Sequence, residues 1–531
     1  MANTTANGLG SAADTGGLRR DISWKGAFWV ASGVPALVLF SIGGIAGLTQ
    51  QAAFLVWIVS MILGFIQSFT YAEIAGLFPN KSGGASVYGA AAWLKYGKFL
   101  APLSVWCNWL AWTPVLSLGC AIASAYIINA LAGALPDLGA WELLSFSIPG
   151  LVDISIGSTF VIGAILMLVV FAIQHRGILG TAKVQMVVGL LVIIPMLIVG
   201  IVPLLTGGVN YDNFALNMGE WTMPTWTLVF GGLFLAAWST YAFETAICYT
   251  SEFRNPARDV FKAIFYSGLL CLVIYTLVPF TFQGVLGVEG MTQPGIVNGD
   301  GVAAAMAHMV NGGDFIDGLL QMLMILALLL AIMTAMAGSS RTLYQGSVDG
   351  WLPRYLSRTN DRGAPTAAMW TDLGFNLILL SFAASDVGAY FFILAMSNCG
   401  YIIFNFLNLN AGWIHRVDNG HIKRPWRAPT ILIALGAVLS YFNAMLMGAG
   451  AKTWGSPDLL WYGLGAAALS IPIFAFRHYV QDKGRFPDHM MRDLGLQAGN
   501  LGERKAGILP YLTLLAGLGV MLIAHFVFTL E

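Results

Sequence analysis

Long apolar runs alternate along this chain with short joints rich in charge, Gly and Pro. A hydrocarbon core of roughly 30 Å takes about 20 apolar residues as a helix, and the runs meet that length repeatedly. The pattern predicts spans near residues 25–48, 52–76, 98–132, 153–173 and 182–206. Five more are expected near 225–250, 262–286, 315–345, 367–386 and 388–414, and three near 429–449, 457–477 and 507–529. Thirteen spans result, preceded by a tail over 1–23 and interrupted by a polar loop over 478–506. The tail has no apolar core of the signal-peptide kind, so it reads as a disordered cytoplasmic segment.

Composition excludes a water-soluble domain: 57% of residues are hydrophobic, 10% are charged, and the mean hydropathy is +0.74. Charge then sets the orientation. With the N-terminus inside, every one of the 26 Lys and Arg residues except Lys452 falls on the cytoplasmic side, as expected for helical membrane proteins. The expected location is a cytoplasmic (plasma or inner) membrane. Five spans separate the start of 24–206 from the start of 225–414, so these two blocks enter the bilayer from opposite sides. That is the parity an inverted repeat requires. Cys107, Cys120, Cys248, Cys271 and Cys399 all lie in apolar runs, where a thiol behaves as a small hydrophobe.

Two spans carry features that weaken a helix in lipid. In the first, Ser32-Gly33-Val34-Pro35-Ala36 places a proline deep in the run, where it removes a backbone bond; Ser41-Ile42-Gly43-Gly44 follows. In the sixth, Gly231-Gly232 precedes Trp238-Ser239-Thr240-Tyr241, with Glu244 still inside the span. Unpaired backbone at membrane depth persists only where it lines a cavity or a site. Freed amides suit an anion and freed carbonyls an ammonium; the alternative is that these residues allow kinks and close packing. An intramembrane carboxylate marks a functional site by default, which singles out Glu244 for coupling or gating. Trp112, beside Asn108 and Trp109, is a further site residue. His175 reads as a solvated helix cap and His525 as an interfacial residue; neither has metal-ligand spacing. No phosphate-cradling loop or nucleophile–base arrangement is present, so neither an enzyme, a cofactor nor a nucleic acid partner is expected.

Four motifs then resemble one family in its own order. Tyr71-Ala72-Glu73-Ile74-Ala75-Gly76-Leu77-Phe78-Pro79, continuing through Lys81 to Tyr88, resembles the end of helix 2 in the amino acid–polyamine–organocation (APC) superfamily. Glu252 to Val260 resembles its motif after helix 6, Ser339-Ser340-Arg341 with Asp349 to Pro353 its motif after helix 8, and Arg424 to Pro429 the segment before helix 11. The resemblance implies an all-α, five-plus-five inverted-repeat (LeuT-like) transporter fold with further C-terminal helices. It also implies alternating access around a site between broken helices 1 and 6, for an amino acid or organic amine, with H+ or Na+ as coupling ion. Ser32, Gly33, Val34, Pro35, Ala36, Trp112, Trp238, Ser239 and Tyr241 would face the substrate. Trp238-Ser239 with Glu244 is similar to bacterial arginine–agmatine exchangers, in which the Trp stacks on the cationic end of the substrate; such a contact supplies roughly 2 kcal/mol when desolvated. Glu73, Glu252 and Arg341 read as structural or gating ion pairs.

Two departures from the family stand out. Where members that bind α-amino acids carry Gly-Ser-Gly in helix 1, the matching stretch reads Val34-Pro35-Ala36-Leu37-Val38, and where some proton-coupled members carry a Lys in helix 5, Val192 is the nearest equivalent. An amine or polyamine exchanger blind to the carboxylate is therefore the second reading, with a channel or transporter-like sensor behind it. The thirteenth span exceeds the family's usual twelve and suggests a dimer contact or a partner-docking helix.

Overall fold

The computed structural model describes residues 17–148, 152–216, 219–385, 387–493 and 503–531. Among them, eleven helices have the length and apolarity to cross a membrane, and two shorter apolar helices, Trp24–Phe40 and Ser158–Gln174, accompany them. The chain is a multi-pass membrane protein of the all-α class, with almost no sheet. In chain order we number helix 2 Ala53–Gly76, helix 3 Leu100–Leu131, helix 4 Ser158–Gln174, helix 5 Ile178–Thr206, helix 7 Pro256–Met291 and helix 8 Asp314–Val348. Helix 9 is Thr366–Ala383, helix 10 Val387–Asp418, helix 11 Thr430–Gly450, helix 12 Leu459–Gln481 and helix 13 Leu509–Val527. Among these eleven, helix 6 (Met223–Glu252) and helix 10 are the most enclosed, and helix 13 the least.

Helix 1 is discontinuous. An α-helical turn pair, Trp24–Val30, gives way to a 3₁₀ segment Val34–Phe40 with Pro35 in its first turn, then to a second α-helix Ile42–Thr49. Pro35 cannot donate to the preceding turn, which explains the first interruption. The second lies at Ser41, whose φ of −145° and ψ of 5° leave the helical region. Helix 6 is α-helical over Met223–Thr240, then 3₁₀ over Ala242–Ile247 and Thr250–Glu252.

Three expectations need correction. Span 4 was expected from residue 153, but Glu142–Ile148 (β1) and Val152–Gly157 (β2) form an antiparallel hairpin, and the helix starts only at Ser158. The alternation Leu144-Ser145-Phe146-Ser147-Ile148 has the two-residue period of a strand. The tail is also not disordered throughout. Residues 1–16 lie outside the described residues, whereas Leu18 and Ile22 are buried, and Ile22 pairs its backbone with that of Glu252 and Arg254 at the end of helix 6. His175 is half-buried rather than solvated, since Asn360 donates to its carbonyl at 2.8 Å.

Helix 13 packs along helix 11 so closely that a Cβ on Gly448 would overlap the Met521 carbonyl. At its C-terminal end Lys452 donates to the carbonyls of His525 and Phe528, the latter at 2.7 Å. At its N-terminal end the Ala506 amide donates to Asp418, which also accepts from Tyr96. The Lys452 contact accounts for the one Lys or Arg expected opposite the basic loops: an ammonium at a helix C-terminus satisfies bare carbonyls and the dipole together.

Candidate functional site

Glu244 lies in the 3₁₀ part of helix 6 with no solvent exposure, and its carboxylate accepts from Trp112 Nε1 at 3.2 Å and from the Ala85 amide at 3.5 Å. One side chain thereby ties the interrupted helix to helix 3 and to the loop after helix 2. That loop can approach because Gly83 and Gly84 hold φ of 105° and 88°, values that L side chains avoid. A Cβ on Gly84 would run into Cys248 Sγ, with Glu244 and Asn108 in ordinary contact beyond it. The Lys81-Ser82-Gly83-Gly84 motif thus allows close approach to the interrupted part of helix 6.

One turn up, Trp238 Nε1 donates to the Ala111 carbonyl of helix 3 at 3.1 Å, and its ring lies 6.0 Å from that of Phe40, the last residue of the 3₁₀ segment of helix 1. Trp112, Trp238 and Glu244 therefore converge where helices 1, 3 and 6 meet, all buried. Ser239 Oγ bonds back to Ala236 within its own helix. Tyr241 turns the other way, toward helix 11, donating to Asn443 Oδ1 at 3.1 Å. There it joins an uncharged network in which Asn443 and Asn405 donate to Gln67, and Asn405 also reaches Tyr71.

The helix 1 stretch behaves differently from its sequence reading. The Gly33 amide donates to Thr334 Oγ1 at 3.1 Å, Thr334 donates to the Val30 carbonyl, and Tyr275 donates to the Val34 carbonyl at 2.6 Å. Ser32 Oγ bonds Trp29 O in its own turn. Ala36 continues the 3₁₀ pattern to Gly33, and Pro35 packs in the core. The backbone groups freed around 32–36 are thus largely taken up by helices 7 and 8. The later break keeps more in hand. Ser41 Oγ is buried with no hydrogen-bond partner among the described residues, Tyr390 donates to the Phe40 carbonyl at 3.1 Å, and the first amides of a helix such as Ile42–Thr49 lie outside its own bonding pattern.

Sequence reading missed several residues. Gln185 is a helix 5 side chain that hydrogen-bonds helix 1, donating to Val30 O and also to Thr334 Oγ1 of helix 8, each at 3.0 Å; Val192 lines a small apolar cavity with Leu39 and Met324. A neutral amide in an apolar run gives no periodic signal. Asp372 of helix 9 is fully buried and accepts from Trp109 at 3.0 Å, from Thr113 and from Ser339. The rule that flagged Glu244 applies equally to this intramembrane carboxylate.

Near the face carrying the basic loops, buried ion pairs close the helix ends. Glu73 accepts from Arg416 at 2.6 and 2.9 Å and from Arg424 at 3.1 Å. Glu252 accepts from Arg341 at 2.6 and 3.2 Å, and Asp349 from Lys81 at 2.7 Å, with Asp493 3.3 Å from the same ammonium. Burial alone would raise the Asp349 carboxyl, yet Lys81 and His489 beside it hold it below the usual range. Burial likewise opposes the Lys81 ammonium, and Asp349 and Asp493 more than offset it, raising its value. No group of three or more metal-ligating side chains occurs among the described residues.

Interrupted membrane helices, a buried aromatic and carboxylate cluster where they meet, and ion pairs across one end define a polytopic membrane transporter. The chain belongs to the amino acid permease family, whose model matches residues 22–468. Similar proteins include the polyamine transporter PUT1 of Oryza sativa subsp. japonica, 23% identical over 81% of this chain and 75% of that one. The branched-chain amino acid permease BcaP of Bacillus subtilis is 23% identical over 64% of this chain and 66% of its own. The lysine-specific permease LysP of Lactococcus lactis subsp. cremoris is 26% identical over 36% and 37%. These relatives are transporters, not enzymes.

Proposed function

We propose that this protein is a secondary active transporter that moves an amino acid or a related organic amine across the cytoplasmic membrane by alternating access, with its N-terminus inside. The observation that carries the reading is the Trp112–Glu244 hydrogen bond beside Trp238, where the breaks in helices 1 and 6 meet helix 3. The substrate's ammonium is assigned to the side of Glu244. Its carboxylate is assigned to the amides that begin Ile42–Thr49, with Trp238 against its side chain. A five-plus-five inverted repeat relates helices 1–5 to 6–10 in this reading, and H+ or Na+ is the coupling ion. The relatives' names, which cover amino acids and polyamines, support the substrate class.

A second reading is an exchanger of amines or polyamines that does not recognise a carboxylate. It is favoured by the capture of the Gly33 amide by Thr334, which leaves that amide no role toward an anion.

The test is uptake into proteoliposomes, together with thermal shifts of the purified protein by amino acids and by their decarboxylated amines, since a ligand bound only by the folded state raises its apparent stability. Saturable uptake that competitors block is expected. Equal shifts by an amino acid and its amine select the second reading, and an ohmic current or no flux at all overturns both.

A further inference from the structure

Away from the site, a cavity of about 440 Å³ lies between helices 3, 10, 11, 12 and 13. Ser470 supplies the one polar side chain of a wall that is otherwise aliphatic and aromatic, with Leu103, Phe406, Met447 and Met521 among its residues. Helix 13 forms one complete side of it, through Leu514, Gly517, Leu518 and Met521. Gly517 permits the fit, because a Cβ there would run into the Phe406 ring.

The cavity has direction. On the face where Lys452 caps helix 13, the rings of Trp461 and His525 meet edge to face at 5.5 Å and bridge helices 12 and 13. Along its side, Phe99, Ile471 and Leu518 line it and are exposed, so it opens toward lipid hydrocarbon. On the other face, Phe99 directly follows the exposed Lys98, and Arg504 and Lys505 precede helix 13, also exposed. Arg504 bonds the Tyr511 hydroxyl at 3.2 Å, one turn from Leu514, and Lys95 donates to the Glu503 carbonyl, joining the two basic segments. Glu503 is the exposed acid among them.

We propose that this cavity is a binding site for an anionic phospholipid of the leaflet on the basic face. One acyl chain fills the space between helices 12 and 13, and the headgroup phosphate rests on Lys98, Arg504 and Lys505. Apolar walls open to hydrocarbon select an acyl chain, and the basic rim at one end selects a negative headgroup, since each Lys or Arg near a membrane surface favours anionic lipid by about 1 kcal/mol. Because helix 13 supplies a full wall, the site exists only with that helix in place, which gives the additional span a lipid-binding role.

The test is native mass spectrometry of the full-length protein with phosphatidylglycerol and phosphatidylcholine, read alongside thermal shifts by each lipid. One retained phosphatidylglycerol and a larger shift than with phosphatidylcholine are expected. Ala468→Trp, which fills the cavity from helix 12, abolishes retention. Lys98→Gln and Arg504→Gln keep a chain bound but each lower the preference for the anionic lipid about fivefold. Retention unchanged in Ala468→Trp, equal binding of the two lipids, or a dimer that Ala468→Trp dissociates would each overturn the proposal, the last by assigning the groove to a second copy.

Discussion

Glu244 accepts a hydrogen bond from an indole that can only donate, and a neutral amide in its place can accept the same bond through its oxygen. Glu244→Gln is therefore expected to fold with the Trp112 bond kept, losing the long Ala85 contact at 3.5 Å and the charge proposed to meet the substrate's amine. A charge-assisted hydrogen bond contributes about 1.5–3 kcal/mol, so affinity for the cationic end should fall about tenfold to a hundredfold, and the pH dependence of uptake should flatten. Uptake indistinguishable from the parent across pH removes Glu244 from the mechanism. Trp238 poses a different question, because its ring edge is already tied to the Ala111 carbonyl. Trp238→Leu should weaken cationic substrates more than neutral ones if the ring face meets the ammonium; equal losses in competition assays mean that the ring only packs.

The discontinuous helix 1 is held open by neighbours rather than by itself. Gln185 and Thr334 both reach the Val30 carbonyl that the 31–33 turn leaves bare. Gln185→Leu leaves those groups with fewer partners inside the membrane, and about 1–3 kcal/mol of stability should be lost, seen as a lower melting temperature; an unchanged melting temperature means that the Gln185 bonds do not hold the break. The break itself was legible in Pro35 and in the Ser-Gly pairs, because a missing amide donor is a local property. Its depth was not. The sequence reading placed the substrate contacts at 32–36, where the Gly33 amide and the Val34 carbonyl bond helices 8 and 7 and Ser32 and Ala36 bond within helix 1, while the sharper departure sits at Ser41. Asp372 was legible by the same argument as Glu244, whereas Gln185 was not, since one amide in an apolar run has no pattern of its own.

Across the whole molecule, the basic face is fastened by ion pairs that join segments far apart in sequence. Asp349 titrates below its ordinary 3.8 in the folded chain and Lys81 above its ordinary 10.5. A carboxyl depressed by folding contributes stability above about pH 4 that disappears as pH falls through its folded value. An ammonium raised by folding contributes below about pH 10 and loses it as pH rises through its own folded value. The pair should therefore stabilise the protein across the neutral range. Asp349→Asn should cost about 3 kcal/mol there, because it leaves a buried ammonium with a more distant partner, and the difference from the parent should vanish toward strong acid. Melting temperatures of the two proteins between pH 3 and pH 8 check this; a constant offset would show that the pair does not titrate with folding.

What the sequence determined unaided is residence in the membrane, the helical segments that cross it and the family, because run length, hydropathy and contiguous motifs are read within one stretch of chain. The same holds for the acid placed in helix 6. The tertiary structure decided which groups answer one another: Trp112 with Glu244, Gln185 with Val30, Lys452 with the end of helix 13. Each of these joins residues more than seventy positions apart. A buried polar group must find a partner wherever packing brings one, and no periodicity along the chain records that choice.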